Sequence, residues 1–280
     1  MIYNFSIADV RTRCEIPFSV PISPETEPFL VEFDAHDIDF RFVPVDYILI
    51  PQNGTWVDNQ LYTADAVYFT PARGMDAYAK SYWRDDSSEF ICEYAKGMEY
   101  CIGSTRCLVD LMVMELFFQR LDAFLLHCSF IRFSNKAVLF SAPPGIGKST
   151  QADLWHLYEN AEILNGDRAM IRRLNDQWIA YGLPIAGSSG IYRNECAPVK
   201  AIVVLRQAKQ NHVRQLSLSE ALRYLYPEVT VHRWDDQFVN TALNQLISLL
   251  SSVPAYLLEC RPDQGAVQLL KDTLFSGDIL

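Results

Sequence analysis

Residues 137–155 read Ala-Val-Leu-Phe-Ser-Ala-Pro-Pro-Gly-Ile-Gly-Lys-Ser-Thr-Gln-Ala-Asp-Leu-Trp. An apolar run breaks into a Pro- and Gly-rich turn, then a lysine, two hydroxyls and a helical pattern. Against G-x-x-x-x-G-K-[ST], residues 142–149 match at every defined position except the first, where Ala142 stands. Backbone N–H groups of Gly145, Ile146, Gly147 and Lys148 would curl around a phosphate, and glycine permits the dihedrals this needs. Lys148 would reach the β- and γ-phosphates, Ser149 would bind Mg²⁺, and a helix from about 149 would point its positive end at the anion. Pro144, Gly145, Ile146, Gly147, Lys148, Ser149 and Thr150 are therefore the expected nucleotide-binding residues, for ATP or another nucleoside triphosphate with Mg²⁺. An ordinary strand-to-helix turn with a surface lysine is the plainer alternative.

Binding alone does no chemistry; transfer needs a carboxylate facing the loop. Ala-Glu-Ile-Leu-Asn-Gly-Asp-Arg-Ala-Met-Ile (161–171) supplies Asp167 after a short apolar run. Its separation from Lys148 leaves room for one helix and one return strand, so Asp167 can hold Mg²⁺ or take a proton from an attacking hydroxyl. Asn-Gly-Asp is also common in plain turns. The next segment reads as strand, Asn-Asp turn, strand, where a small nucleoside kinase would enter a helix.

Elsewhere the pattern is mixed. Residues 1–103 read as short β-type pieces: 28–45 alternate apolar and polar residues, 46–57 is a run ended by an Asn-Gly turn, and 65–71 is another run. From 104 to 280 strands and helices mix, which argues for an α/β core. The most apolar long segment, 108–126, carries Asp110, Glu115, Arg120 and Asp122, so it reads as a buried helix and not a membrane span. "AFLLHCSFIRF" and "KAVLFSA" flank a turn-like "SNK", Ser217 and Glu220 have capping-box spacing, and Asp235–Asp236 would cap a helix. A strand at 197–207, a last strand at 255–260 and a last helix at 263–275 complete the reading.

Lys+Arg 24 against Asp+Glu 34 gives a net charge of −10, with no basic stripe for nucleic acid. The seven cysteines show no metal-ligand spacing, which points to reduced thiols in a cytoplasmic protein. The N-terminus does not read as a signal peptide.

In "LLHCSFIRFSNKAVLFSAPPGIGKST", then "ILNGDRAMI", then a hairpin, roughly residues 120–205 resemble the HPr kinase/phosphorylase family, whose catalytic domain shares its core with phosphoenolpyruvate carboxykinases. The resemblance implies a mixed-sheet P-loop kinase domain over 104–280, preceded by a smaller β-rich region over 1–103. His127 matches that family's histidine on the strand before the loop, and Asp167 matches one member of its aspartate pair. The other member is Gly166 here, behind Asn165, which bears on phosphorylase activity and metal binding more than on phosphotransfer. A lone histidine in an apolar strand reads as a core residue; with the resemblance, His127 becomes a site residue that tunes Asp167 or touches a phosphate. Arg193, in the Gly- and Ser-rich loop 184–198, is a candidate for offsetting transferring charge.

Three readings follow. In the first, Lys148, Asp167 and His127 serve an ATP/Mg²⁺-dependent kinase acting on a hydroxyl, a serine of a protein or peptide foremost. The second is a nucleotide-binding regulatory protein without phosphotransfer, and the third a kinase of a small metabolite such as free serine. Homo-oligomerisation stays open.

Overall fold

Short strands with alternating burial build the first of two units, Met1–Arg120; the second is Leu121–His232 together with Asp236 onward. The computed structural model describes residues 1–84, 87–185, 187–232 and 235–276.

The first unit holds an eight-stranded sheet. Its strands are β1 (Ile2–Ile7), β2 (Val10–Glu15), β3 (Ile38–Val45), β4 (Thr55–Trp56), β5 (Leu61–Thr63), β6 (Val67–Phe69), β7 (Ala79–Trp83) and β8 (Glu89–Ala95), in the order β1-β2-β3-β8-β7-β6-β5-β4. β1 and β2 meet at Ala8–Asp9, both with positive φ (51° and 58°), as a tight hairpin turn requires. The run at 46–57 yields only β4. Residues 47–50 pair with no strand, and Tyr47 and Leu49 are exposed, because an apolar run without a hydrogen-bonding neighbour does not make a strand.

The helix expected over 108–126 is absent. The chain forms α1 (Thr105–Leu111) and α2 (Met114–Gln119), breaks at Val113 in the left-handed region (φ 46°), and enters β9 (Ala123–His127). A second left-handed residue, Asp122 (φ 53°), follows α2 and separates two obligations. Phe117 stacks on Trp83 and meets Phe90 edge-on, each at 5.3 Å, and Trp83 Nε1 donates to the Leu116 carbonyl at 3.1 Å. Residues 123–127 instead pair in another sheet. Both helices thus belong to the first unit, which runs through Arg120.

The second unit contains, after β9, β10 (Ser129–Phe133), β11 (Lys136–Ser141), α3 (Lys148–Glu159), β12 (Glu162–Asn165), β13 (Arg168–Leu174), β14 (Gln177–Tyr181), β15 (Cys196–Gln207), β16 (His212–Gln215), α4 (Leu218–Leu225), α5 (Asp236–Ser252), β17 (Ala255–Cys260) and α6 (Gln264–Phe275). The strand order is β12-β10-β11-β15-β14-β13-β9, with β17 on β15 and β16 on β17. The long β15 joins two groups. Its start pairs antiparallel with β14, and its remainder runs parallel to β11 and β17. The fold is mixed α/β. Ser134–Asn135 and Asn175–Asp176, all with positive φ, turn the two hairpins where the sequence places them.

Alternate residues of β11 feed opposite cores. Ala137 and Leu139 face a cluster with Leu225 and Leu246 of α4 and α5, while Val138 and Phe140 face Trp155 and Leu270 of α3 and α6. Trp155 is fully buried against Phe133, Phe140 and Phe275. Trp155→Ala is expected to cost about 3–5 kcal/mol, the usual range for emptying a buried aromatic site. Chemical denaturation measures it, and a loss below about 1 kcal/mol would contradict this packing. All seven cysteines are free and four are buried. Among the described residues no helix is long and apolar enough to cross a membrane.

Candidate functional site

β11 delivers the loop and α3 receives it. Gly145 (φ +79°) and Gly147 (φ +120°) take the left-handed conformations that let the turn curl, and Gly147 is the N-cap of α3. A Cβ on Gly145 would meet no atom within 4 Å, so backbone conformation and not crowding calls for glycine there. Ala142, where the motif has glycine, buries its methyl in the α3–α6 core. Pro144, Gly145, Ser149 and Thr150 are exposed, which leaves the loop accessible.

Lys148 begins α3 but turns inward. It is only 9% exposed, and its Nζ donates to the Ala142 carbonyl at 2.7 Å. Burial lowers its pKa, and the charges of Glu228, Cys128 and Asp167 oppose that shift. A buried ammonium with one neutral partner is electrostatically uncomfortable, and an incoming anion offsets the cost.

Asp167 sits in the turn between β12 and β13, held from every side. The buried Asn165 side chain accepts the N–H groups of Asp167 (2.9 Å) and Arg168 (3.0 Å). Its amide donates to the carbonyls of Leu183 (3.2 Å) and Ile185 (2.8 Å). The Asp167 carbonyl accepts from Cys128 N–H at 3.0 Å, and Ser129 Oγ donates to the Gly166 carbonyl at 3.2 Å. A hydrogen bond from His127 is the main cause that lowers the Asp167 pKa, opposed by burial and helped by the charges of Arg168, His127 and Lys148.

His127 ends β9, opposite Arg168 of β13. It is not on β11, the strand that enters the loop. Its Nε2 lies 3.5 Å from Asp167 Oδ1 and its Nδ1 3.1 Å from Glu228 Oε2. Only the doubly protonated ring donates to both carboxylates at once. Glu228 was not singled out in the sequence. It follows α4 in a single 3-10 turn (Tyr226–Glu228), and its side chain is 9% exposed. An isolated antiparallel bridge between Leu126 and Val229, with Thr230 N–H donating to the Leu125 carbonyl at 3.0 Å, carries it to His127. Nothing local in Leu-Tyr-Pro-Glu-Val marks it.

Gly166 has a packing reason. A Cβ there would fall 2.3 Å from Ser189 Oγ and 2.5 Å from Ser189 Cβ. A Cβ on Gly187 (φ +53°) would likewise come within 2.6 Å of Asp167 Cβ. The turn at Gly187–Ser189 therefore occupies the space a second carboxylate would need. The loop 184–198 is described apart from residue 186, and its arginine points elsewhere: Arg193 Nη1 lies 3.4 Å from Glu162 Oε2 and 3.9 Å from Glu195 Oε1. Arg132 joins the same exposed ion-pair group. Arg193, the candidate for offsetting transferring charge, is paired here with Glu162 and Glu195.

Among the described residues no three His, Cys, Asp or Glu side chains gather as a metal site. Mg²⁺ keeps several waters and is held by one or two protein oxygens plus the substrate's phosphates, so a nucleotide site needs no cluster of three such ligands. Ser149 is exposed in the first turn of α3, and Asp167 lies in the β12–β13 turn.

No family model matches this sequence, and no curated protein does. Among solved structures, the Hpr(Ser) kinase/phosphatase from Coxiella burnetii is similar over 55% of this chain and 89% of that one, with 14% identity and a TM-score of 0.32. A likeness of that size assigns no chemistry, and the chemistry rests on the residues themselves.

Proposed function

We propose that the protein is an ATP/Mg²⁺-dependent kinase that transfers the γ-phosphoryl group to a hydroxyl, a serine of a protein or peptide being the leading acceptor. The observation that carries this reading is the convergence of a buried ammonium, a carboxylate and an imidazole beside an open, glycine-bent loop. Lys148 offsets phosphate charge, and the N–H groups of the loop and of the first turn of α3 hold the triphosphate. Mg²⁺, when bound, neutralises phosphate oxygens and orients them. Asp167, kept ionised by His127, orients the cation side of the site and accepts the hydroxyl proton. His127 holds Asp167 in place and is itself held by Glu228. Phosphoryl transfer depends mainly on position and charge, so one acid can serve.

A second reading, nucleotide binding with regulation and no transfer, is favoured by Ser189 filling the space beside Gly166. Incubation with γ-labelled ATP, Mg²⁺ and a panel of free serine, serine peptides and intact proteins separates the two. Labelled phosphoserine together with ADP is expected. Tight nucleotide binding without ADP or any labelled product would leave the regulatory reading standing instead.

A further inference from the structure

A cavity of about 400 Å³ opens beside the loop, on the flank away from Asp167. From β11 the sheet runs one way through β10 to β12, which leads into Asp167. The other way it runs through β15 to β17, both parallel to β11. Parallel strands end at the same edge, so the ends of β15 and β17 rise next to the loop, and the cavity lies there. Gly147 and Gln151 line its loop side, Gln207 and Ala208 the β15 side, and Cys260 and Arg261 the β17 side. Its size suits a small-molecule group.

One lining group is left in need. Gln151, in the first turn of α3, is 3% exposed. Its Nε2 donates to Cys260 Sγ at 3.3 Å, while its Oε1 is buried with no donor. A buried amide oxygen without a donor is costly, and a ligand N–H or O–H removes that cost. Gln207 Nε2 donates to the Ile146 carbonyl at 3.3 Å, which ties this wall to the loop. Arg261 adds a cation at the rim, braced by Asp263 at 2.9 Å.

We propose that this cavity takes the nucleoside end of the nucleotide, with Gln151 Oε1 accepting a hydrogen bond from it. The inference rests on reading the loop as a triphosphate site, and it adds a direction. Lys148 and Asp167 mark the end where the transferred phosphoryl group lies, so the triphosphate crosses the loop toward β15 and β17. The donor on the nucleoside is either a base amine or a ribose hydroxyl, and both meet an amide oxygen equally well.

Calorimetric titration of the full chain with MgATP and with magnesium tripolyphosphate, which has no nucleoside, tests this. Wild type is expected to bind MgATP at least about tenfold more tightly, the scale of one or two added hydrogen bonds and some apolar burial. Ala208→Trp, which fills the cavity, is expected to erase that advantage and leave tripolyphosphate binding unchanged. Gln151→Leu is expected to weaken MgATP about tenfold with tripolyphosphate again unchanged, the scale of one buried hydrogen bond. It stands as an independent check should the tryptophan impair folding. In wild type, a loss with inosine triphosphate identifies the base amine as the donor, and a loss with 2′-deoxy-ATP the ribose. Equal affinity of wild type for MgATP and tripolyphosphate, or MgATP binding untouched by both variants, overturns the proposal while the phosphate site stands. Failure of wild type to bind either ligand overturns the phosphate site as well.

Discussion

Asp167→Asn is expected to lower phosphoryl transfer by about 10²–10⁴-fold, the usual contribution of a positioned acid–base group, while nucleotide binding stays measurable. The backbone reasons are specific. The Asp167 N–H and carbonyl are held by Asn165 Oδ1 and Cys128 N–H, neither of which depends on the carboxylate. Asparagine is close in shape and loses only the charge. Since His127 holds the Asp167 pKa below the usual carboxylate value, the group is a modest base and a strong partner for cations. In the proposed mechanism its loss is therefore expected to act on Mg²⁺ orientation as well as on the proton. Single-turnover assays with the authentic acceptor, beside a nucleotide-binding titration, measure both effects. Full transfer by the variant would remove Asp167 from the mechanism.

Lys148→Ala is expected to abolish ATP turnover, with a fall of about 10²–10³-fold or more, the scale of deleting one preorganised charge-stabilising donor. The ammonium is buried, has a single hydrogen bond to the Ala142 carbonyl, and lies within electrostatic reach of Asp167 and Glu228. Removing it leaves two acids facing an anion with less positive charge between them, so nucleotide affinity should fall too. That sets it apart from Asp167→Asn. Steady-state ADP release and nucleotide titration report it, with circular dichroism as the control for folding. Turnover at the wild-type rate would show that the loop is an ordinary turn.

Much of the site's frame was legible in the order of residues. The loop needs only contiguous backbone N–H groups, two permissive glycines and a lysine, and all lie within 145–148. Asn175–Asp176 turns its hairpin through residues that accept positive φ. Ser217 and Glu220 form the capping box that starts α4, with donors and acceptors three positions apart. Asp263 caps α6 in the same local way. The hairpin at Ala8–Asp9 was harder to see, because alanine carries no preference for the left-handed turn it adopts there.

What was not legible depends on distant partners. Glu228 reaches His127 across 101 residues of chain, through the bridge of Val229 to Leu126. Ser189 claims the space over Gly166, and Glu162 with Glu195 draws Arg193 aside. The helical spacing of 108–126 held only through α2: the chain leaves the helix after Gln119, turns at Asp122 and gives 123–127 to a different sheet. Amino-acid order by itself determined the glycine-bent turn and its flanking elements, because dihedral preference, capping and turn chemistry act over a few residues. Tertiary structure alone decided which acids face the histidine and where the loop's opposite flank opens, because strand pairing and packing join groups that local preference cannot relate.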